Sequence, residues 1–244
     1  MTSMRKMSKG RRGFLRAAAA TLALSGLPFA ARAAAAQKLK IGIVGSGQVG
    51  GALGRVWANA GHTVMFSSLD LEKDKALATS VGPNARAGTP REAAAFGEVV
   101  LVSVPYHALP SVGKDVGALL KGKVVIDTCN PFPGRDGEIG VWAREKGAGL
   151  ASAELLPGAR IVRAFNAVGY MRMAEASKAE RRYGMPIASD DSKAVAIASG
   201  LIREIGYEPV LIGPLVKGKY LVPGTPLAGE RSPDEIRKIA ATLN

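Results

Sequence analysis

Short apolar runs alternate with amphipathic stretches along most of the chain. The apolar runs predict strands at residues 39–44, 62–67, around 85, 98–104, 123–127, 160–165, 185–188 and 209–212. Apolar spacing or capping signals predict helices over residues 49–60, 69–78 and 191–205, with two more beginning near 89 and 232. Strands that alternate with helices indicate βα units over a parallel sheet. We therefore expect an α/β fold with a doubly wound, mostly parallel sheet and a small C-terminal α/β extension.

The first 36 residues differ from the rest in charge and composition. They hold seven basic residues and no acidic one. Six of the basic residues precede an uncharged run over residues 17–31, and mostly small residues follow up to Ala36. Residues 10–16, Gly-Arg-Arg-Gly-Phe-Leu-Arg, resemble a bacterial twin-arginine export signal. We expect a signal peptide at 1–36, a nucleotide-binding domain at 37–167 and an extension at 168–244 that completes the acceptor site.

The charge of the remaining chain is modest. The formal charge of +13 falls to 26 basic against 20 acidic residues once the first 36 residues are set aside. Basic residues do not cluster with aromatic ones there, so we expect no nucleic-acid partner. Cys129 is the single cysteine, which excludes an intramolecular disulfide.

A glycine-rich loop follows the first predicted strand and opens the first predicted helix. Its sequence matches G-x-G-x-x-G, and we expect its residues to bind a dinucleotide: Gly45, Ser46, Gly47, Gln48, Val49 and Gly50. The first glycine permits a tight turn, the second lets a pyrophosphate approach the backbone, and the third lets helix pack on strand. The helix N-terminus then offers amide donors to the phosphates. This context predicts a Rossmann-type NAD(P)-binding domain.

The end of the second strand decides between the two nicotinamide dinucleotides. No acidic residue stands at its tip, where Ser67 and Ser68 offer hydroxyls and Lys73 lies one helical turn further on. These three residues favour NADP. NAD stays open because Asp70 could reach a ribose, and the serines could instead cap the following helix.

Three segments should border the nicotinamide, because ligands bind at the carboxyl ends of parallel strands. We expect cofactor contacts from Val104, Pro105, Tyr106, Asn130, Pro131, Phe165 and Asn166. His107 is a candidate proton donor, with a solvent-exposed histidine at a helix start as the alternative. No metal ligands are expected.

These segments, together with the glycine loop, resemble the family of deazaflavin-dependent NADP oxidoreductases. The resemblance rests on Val-Pro-Tyr at 104–106, Val-Val-Ile-Asp to Asn-Pro at 124–131 and Ala-Phe-Asn at 164–166, and it covers about residues 39–222. It implies that NADP exchanges a hydride with a second flat acceptor, coenzyme F(420). The family commonly has an arginine after the serine at the end of the second strand, a place that Ser68 occupies here.

Other functions remain open at this stage. Relatives of the family reduce other acceptors, including a flavin that passes electrons to a metal. Imine and hydroxyacid reductases share the first domain but normally add an all-helical second one. An exported dinucleotide-binding protein without turnover is a further alternative. We expect a small-molecule acceptor and the twin-arginine translocase as partners, and the chain is compatible with forming a homodimer. We also expect a periplasmic location, with an inner-membrane tether if the signal is not cleaved.

Overall fold

The computed structural model describes residues 38–179 and 181–243, where one sheet forms the centre of the molecule. Its strands are β1 (Lys40–Val44), β2 (Thr63–Ser67), β3 (Ala85–Ala87), β4 (Val99–Val102), β5 (Val124–Asp127), β6 (Arg160–Arg163), β7 (Gly184–Ala188) and β8 (Glu208–Gly213). Their order is β3-β2-β1-β4-β5-β6-β7-β8. The first six are parallel, β7 runs antiparallel to β6, and β8 is parallel to β7. The predicted doubly wound α/β fold is confirmed.

Helices cover both faces of the sheet. They are α1 (Gln48–Asn59), α2 (Leu71–Val81), α3 (Pro90–Phe96), α4 (Leu109–Leu120), α5 (Pro133–Lys146), α6 (Ala148–Leu155), α7 (Tyr170–Glu175), α8 (Ser192–Ile205) and α9 (Pro233–Ala241). Short 3-10 segments occupy Tyr106–Ala108, Ala176–Lys178 and Leu215–Tyr220. Capping boxes open α3 and α9, as the sequence predicts.

The helix after β2 begins later than the sequence predicts. Asp70 is its N-cap and accepts a hydrogen bond from the Lys73 N–H at 3.1 Å. The alternative that Ser67 or Ser68 caps this helix is therefore wrong.

The central strands are buried on both faces, as the uniformly apolar run at 98–104 predicts. In β4, Val99 and Leu101 pack into one core with α1 and α8, while Val100 and Val102 pack into the other with α4, α5 and α6. A smaller cluster lies between β8 and α9. Because β1 to β6 are parallel, their carboxyl ends lie at one edge of the sheet, where the loops that follow them meet.

Two parts of the sequence-based organisation are not decided by this fold. The predicted export signal at 1–36 lies outside the described residues, and the boundary after residue 167 stays a prediction, although β7 and β8 extend the same sheet. Within residues 38–179 and 181–243, no helix combines the length and apolar character that crossing a membrane requires.

Candidate functional site

The glycine loop has the shape that a dinucleotide requires. A Cβ on Gly45, whose φ is +101°, would overlap the Ser103 carbonyl oxygen, and a Cβ on Gly50 would overlap the Gly45 carbonyl oxygen. A Cβ on Gly47 would meet no atom within 4 Å. Two glycines thus close the loop against the protein, and the middle one leaves open space over the start of α1, where a pyrophosphate fits.

The end of β2 holds the glycine loop in place. The Ser67 carbonyl oxygen accepts hydrogen bonds from the Gly45 and Ser46 N–H groups, both at 2.9 Å. The Ser67 side chain is fully buried and donates to the Ile43 carbonyl oxygen at 2.6 Å. Ser67 therefore stabilises the glycine loop through its backbone carbonyl group.

A buried carboxylate joins the glycine loop to the end of β2. Asp74, in the first turns of α2, accepts hydrogen bonds from the Ser46 hydroxyl and from the Ser68 hydroxyl, the latter at 2.8 Å. Lys73 is exposed and pairs with Asp70 at 3.2 Å. Sequence reasoning missed Asp74, because the weakly amphipathic helix α2 gives little sign of which residues face inward.

Behind the nicotinamide end of the crevice lies a fully buried ion pair between β5 and β6. The two strands are paired in a register that sets Asp127 opposite Arg163, and Arg163 Nη1 donates to Asp127 Oδ2 at 2.7 Å. Arg163 Nη2 donates to Asn130 Oδ1 at 3.1 Å. The ion pair thereby fixes the Asn130 amide at the carboxyl end of β5.

Asn130 and Asn166 hold each other in one orientation. Asn130 Nδ2 donates to the Asn166 carbonyl oxygen at 3.1 Å, and Asn166 Nδ2 donates to Asn130 Oδ1 at 3.3 Å. Asn166 is 3% exposed, and its Oδ1 is a buried acceptor that has no hydrogen-bond partner in the described part of the chain. Phe165 directly before it has a φ of +64°, a left-handed backbone unusual for an aromatic residue. The strained turn therefore holds an unsatisfied acceptor just beneath the surface at the carboxyl end of β6.

His107 has a partner that the sequence did not reveal. Its Nδ1 lies 2.9 Å from Asp136 Oδ1, and its side chain is about half exposed. Asp136, near the start of α5, is buried and also accepts two hydrogen bonds from Arg135, while Arg135 donates to the Asn130 carbonyl oxygen. Because a carboxylate only accepts, the proton between the two side chains belongs to Nδ1 of His107. Among residues 38–179 and 181–243, no hydrogen-bond partner is found for Nε2, which lies at the carboxyl edge of the sheet.

The Asp136 carboxylate is strongly stabilised in its charged form. Burial alone would raise its pKa. The hydrogen bonds donated by Arg135 and by the N–H groups of Phe132 and His107 outweigh burial, so the pKa of Asp136 lies well below its usual range. Asp136 is therefore an anion at neutral pH and can orient the His107 ring.

The remaining predicted site residues lie at different depths. Val104 borders the glycine loop, Pro105 is exposed, and Pro131 is buried. Tyr106 is fully buried and its hydroxyl lies 3.3 Å from the Ala148 carbonyl oxygen, while the Phe165 ring packs edge-on against Trp57. Burial raises the pKa of the Tyr106 hydroxyl. The side chains of Tyr106 and Phe165 are thus part of the packed interior.

A groove of about 1000 Å³ begins at the glycine loop and continues along α1. Gln48 lines it at the loop end, and Tyr170 and Lys178 line it on the side of α7. Its volume is in the range of small-molecule sites. Within residues 38–179 and 181–243, no group of three or more His, Cys, Asp and Glu side chains is placed to hold a metal ion.

Several solved structures share this fold. A hypothetical protein from Sinorhizobium meliloti is 24% identical with a TM-score of 0.67, covering 79% of this chain and 93% of its own. A candidate F(420)-dependent NADP-reductase from Arthrobacter sp. is 18% identical with a TM-score of 0.62, covering 74% and 87%. An imine reductase from Myxococcus stipitatus, solved with NAD+, is 16% identical with a TM-score of 0.55, covering 75% and 57%. No curated protein matches the chain.

The class of protein follows from the fold, the glycine loop and a family match. Residues 40–131, from β1 to the segment after β5, match the model of the coenzyme F(420)-dependent NADP oxidoreductases. The predicted class, an NAD(P)-dependent oxidoreductase, is confirmed. The matched range contains the glycine loop, Asn130 and Pro131, which carried part of the resemblance in the sequence.

Proposed function

We propose that the protein binds a nicotinamide dinucleotide and passes a hydride between its nicotinamide and a second flat redox acceptor of the deazaflavin or flavin type. The observation that carries this proposal is the glycine loop, which is closed at Gly45 and Gly50 and open at Gly47. The family match supports the nicotinamide cofactor, and the acceptor rests on the resemblance alone.

The nicotinamide end of the site also suits such a cofactor. The unpartnered Asn166 Oδ1 requires a hydrogen-bond donor, and the carboxamide group of a nicotinamide has one in its NH₂. The neighbouring Asn130 Nδ2 donates to the Asn166 carbonyl oxygen instead. Asn166 would therefore fix the rotation of the nicotinamide ring and decide which face meets the acceptor.

The protein contributes orientation, exclusion of water and a proton site. A bound nicotinamide supplies the hydride when it is reduced. The buried network behind Asn130 keeps the crevice wall rigid, which matters because transfer requires the two reacting carbons in near contact. His107 Nε2 can give or take the proton that accompanies reduction of a deazaflavin or flavin ring, with Asp136 holding the tautomer.

Substitutions at this pair should separate proton transfer from folding. His107→Gln keeps a polar group beside Asp136 but cannot carry a proton, so we expect kcat at neutral pH to fall by about 100-fold. Asp136→Asn should lower kcat as well and shift its pH profile, since an amide can donate to Nδ1 and reverse the tautomer. Glu138→Gln, an exposed carboxylate of the same helix, is the matched control.

The measurement is kcat against pH, with reduced dinucleotide and one soluble acceptor at saturation. An unchanged rate and profile in His107→Gln would assign His107 to the alternative, a solvent-exposed histidine at the start of a helix.

The same proposal includes export with the cofactor already bound. The twin-arginine route carries folded proteins, so the dinucleotide would be tightly held and regenerated in place in the periplasm. We expect protein isolated from the periplasmic fraction, once denatured, to release about one nicotinamide dinucleotide per chain. Its reduced form should be oxidised by at least one of coenzyme F(420), FMN or a soluble quinone.

The outcomes separate the parts of the proposal. Mass measurement of the isolated protein distinguishes a cleaved signal, with an N-terminus near Ala34 or Gln37, from an intact one that tethers the domain. A dinucleotide that stays reduced with every acceptor indicates a binding protein without turnover. A protein that neither releases nor binds NAD or NADP would contradict the proposed function.

A further inference from the structure

A buried carboxylate lies between the glycine loop and the end of β2. Asp74 is 1% exposed, and its two oxygens accept from Ser46, which belongs to the loop, and from Ser68, which follows β2. In this fold the loop and the end of the second strand are the two segments that border the adenosine ribose of a dinucleotide. The inference below rests on the proposed function, because it concerns the choice of dinucleotide at this site.

The direction of these hydrogen bonds decides what the serines can bind. A hydroxyl has one proton to donate, and a carboxylate can only accept, so Ser46 and Ser68 give their protons to Asp74. Ser68 Oγ also accepts from the Asp70 N–H at 3.1 Å. Only lone pairs of the two hydroxyls remain for a ligand. A ribose hydroxyl can donate to a lone pair, whereas an ionised phosphate cannot.

The segment between positions 67 and 74 offers no unpaired cation to a 2′-phosphate. Leu69, which follows Ser68, is fully exposed and apolar. Lys73 is the one basic residue between positions 67 and 74, and it is paired with Asp70. Rossmann domains that take NADP ordinarily place an arginine near this phosphate. The negative charge of Asp74, shielded from water, would repel it instead.

We infer that Asp74, acting through Ser46 and Ser68, selects NAD(H) over NADP(H). The sequence favours NADP because two hydroxyls and a lysine look like phosphate ligands. In the folded chain the hydroxyl protons point to Asp74 and the lysine faces another carboxylate. Asp74 is thus a specificity-determining residue of the dinucleotide site, although it need not touch the cofactor.

Calorimetric titration of the purified protein with NADH and NADPH tests this inference. We expect the wild-type protein to bind NADH at least about tenfold more tightly than NADPH, a difference of about 1.4 kcal/mol. Asp74→Asn removes the charge and can donate to the serines, which frees their protons for a phosphate, so the preference should shrink at least about fivefold, mainly through tighter NADPH binding. Glu72→Gln changes an exposed carboxylate of the same turn, which pairs with Lys75 at 2.8 Å, and should leave the preference within about twofold.

A second variant tests the inference independently if Asp74→Asn fails to fold. Leu69→Arg changes a fully exposed side chain and should strengthen NADPH binding, because a guanidinium then faces the 2′-phosphate. Wild-type protein that binds NADPH as tightly as NADH would overturn the inference and leave the proposed function standing. So would two folded variants that both keep the wild-type preference. Binding of neither dinucleotide would overturn the proposed function and this inference with it.

Discussion

Replacing Gly47 with alanine should abolish tight dinucleotide binding in a protein that still folds. The added Cβ would meet no protein atom within 4 Å, and the residue has a negative φ of −64° in an extended backbone. As the N-cap of α1, the position tolerates alanine at a cost of about 1 kcal/mol. The same Cβ would stand where the pyrophosphate approaches the backbone, and each lost hydrogen bond to a charged group costs about 1.5–3 kcal/mol. We expect affinity to fall at least about 100-fold.

Two other glycines make the experiment decisive. Gly50→Ala would overlap the Gly45 carbonyl oxygen, so it should lower both affinity and the free energy of unfolding. Gly200→Ala, exposed in the middle of α8 with no atom within 4 Å, should raise the free energy of unfolding by about 1 kcal/mol and leave affinity unchanged. Titration calorimetry and urea unfolding give the two readings. Wild-type affinity in Gly47→Ala would show that no ligand approaches the backbone there.

Replacing Arg163 with methionine should cause the largest loss of stability among the substitutions considered. The change leaves the Asp127 carboxylate buried without its cation, since both side chains are fully buried. Removing one partner of such a pair costs about 3–5 kcal/mol. Arg163 also donates to the Cys129 and Leu221 carbonyl oxygens, so two separate segments lose a shared donor. Urea unfolding measures the effect as a lower midpoint.

The matched control is Arg203→Met, which breaks a half-exposed pair with Glu208 at 3.1 Å. It should cost less than about 1 kcal/mol. Adding Asp127→Asn to Arg163→Met should recover part of the loss, because the uncompensated charge is then removed. A loss in Arg163→Met no greater than in Arg203→Met would contradict a structural role for the buried pair.

The elements with local signals could be predicted from the sequence. The glycine loop is an example, because the strand, the turn and the helix that give Gly45, Gly47 and Gly50 their roles lie within about twenty residues of one another. The capping boxes of α3 and α9 are equally local. The alternation of apolar runs was sufficient to predict the doubly wound fold, since strands that are buried on both faces occur mainly in parallel sheets covered by helices.

The partners of the site residues could not be predicted in the same way, since each contact depends on tertiary placement. Asp127 and Arg163 are 36 residues apart and meet only through the register of β5 and β6. The signal available in the sequence was a charged residue at the end of one apolar run, Asp127, and another within a second run, Arg163. Asp136 reaches His107 because α5, a helix the sequence did not predict, starts at Pro133 and is kinked at Gly137.

The packing of Trp57 against Phe165 gives the protein an optical probe of its own site. Trp57 is fully buried on α1, its Nε1 donates to the Leu201 carbonyl oxygen at 3.0 Å, and its ring lies 6.2 Å from that of Phe165. Ten residues of helix place it about 15 Å from the glycine loop. Reduced nicotinamide absorbs light at the wavelengths that indole emits. A rigid indole at this distance can transfer its excitation to a bound cofactor, so the natural chain needs no added label to report occupancy.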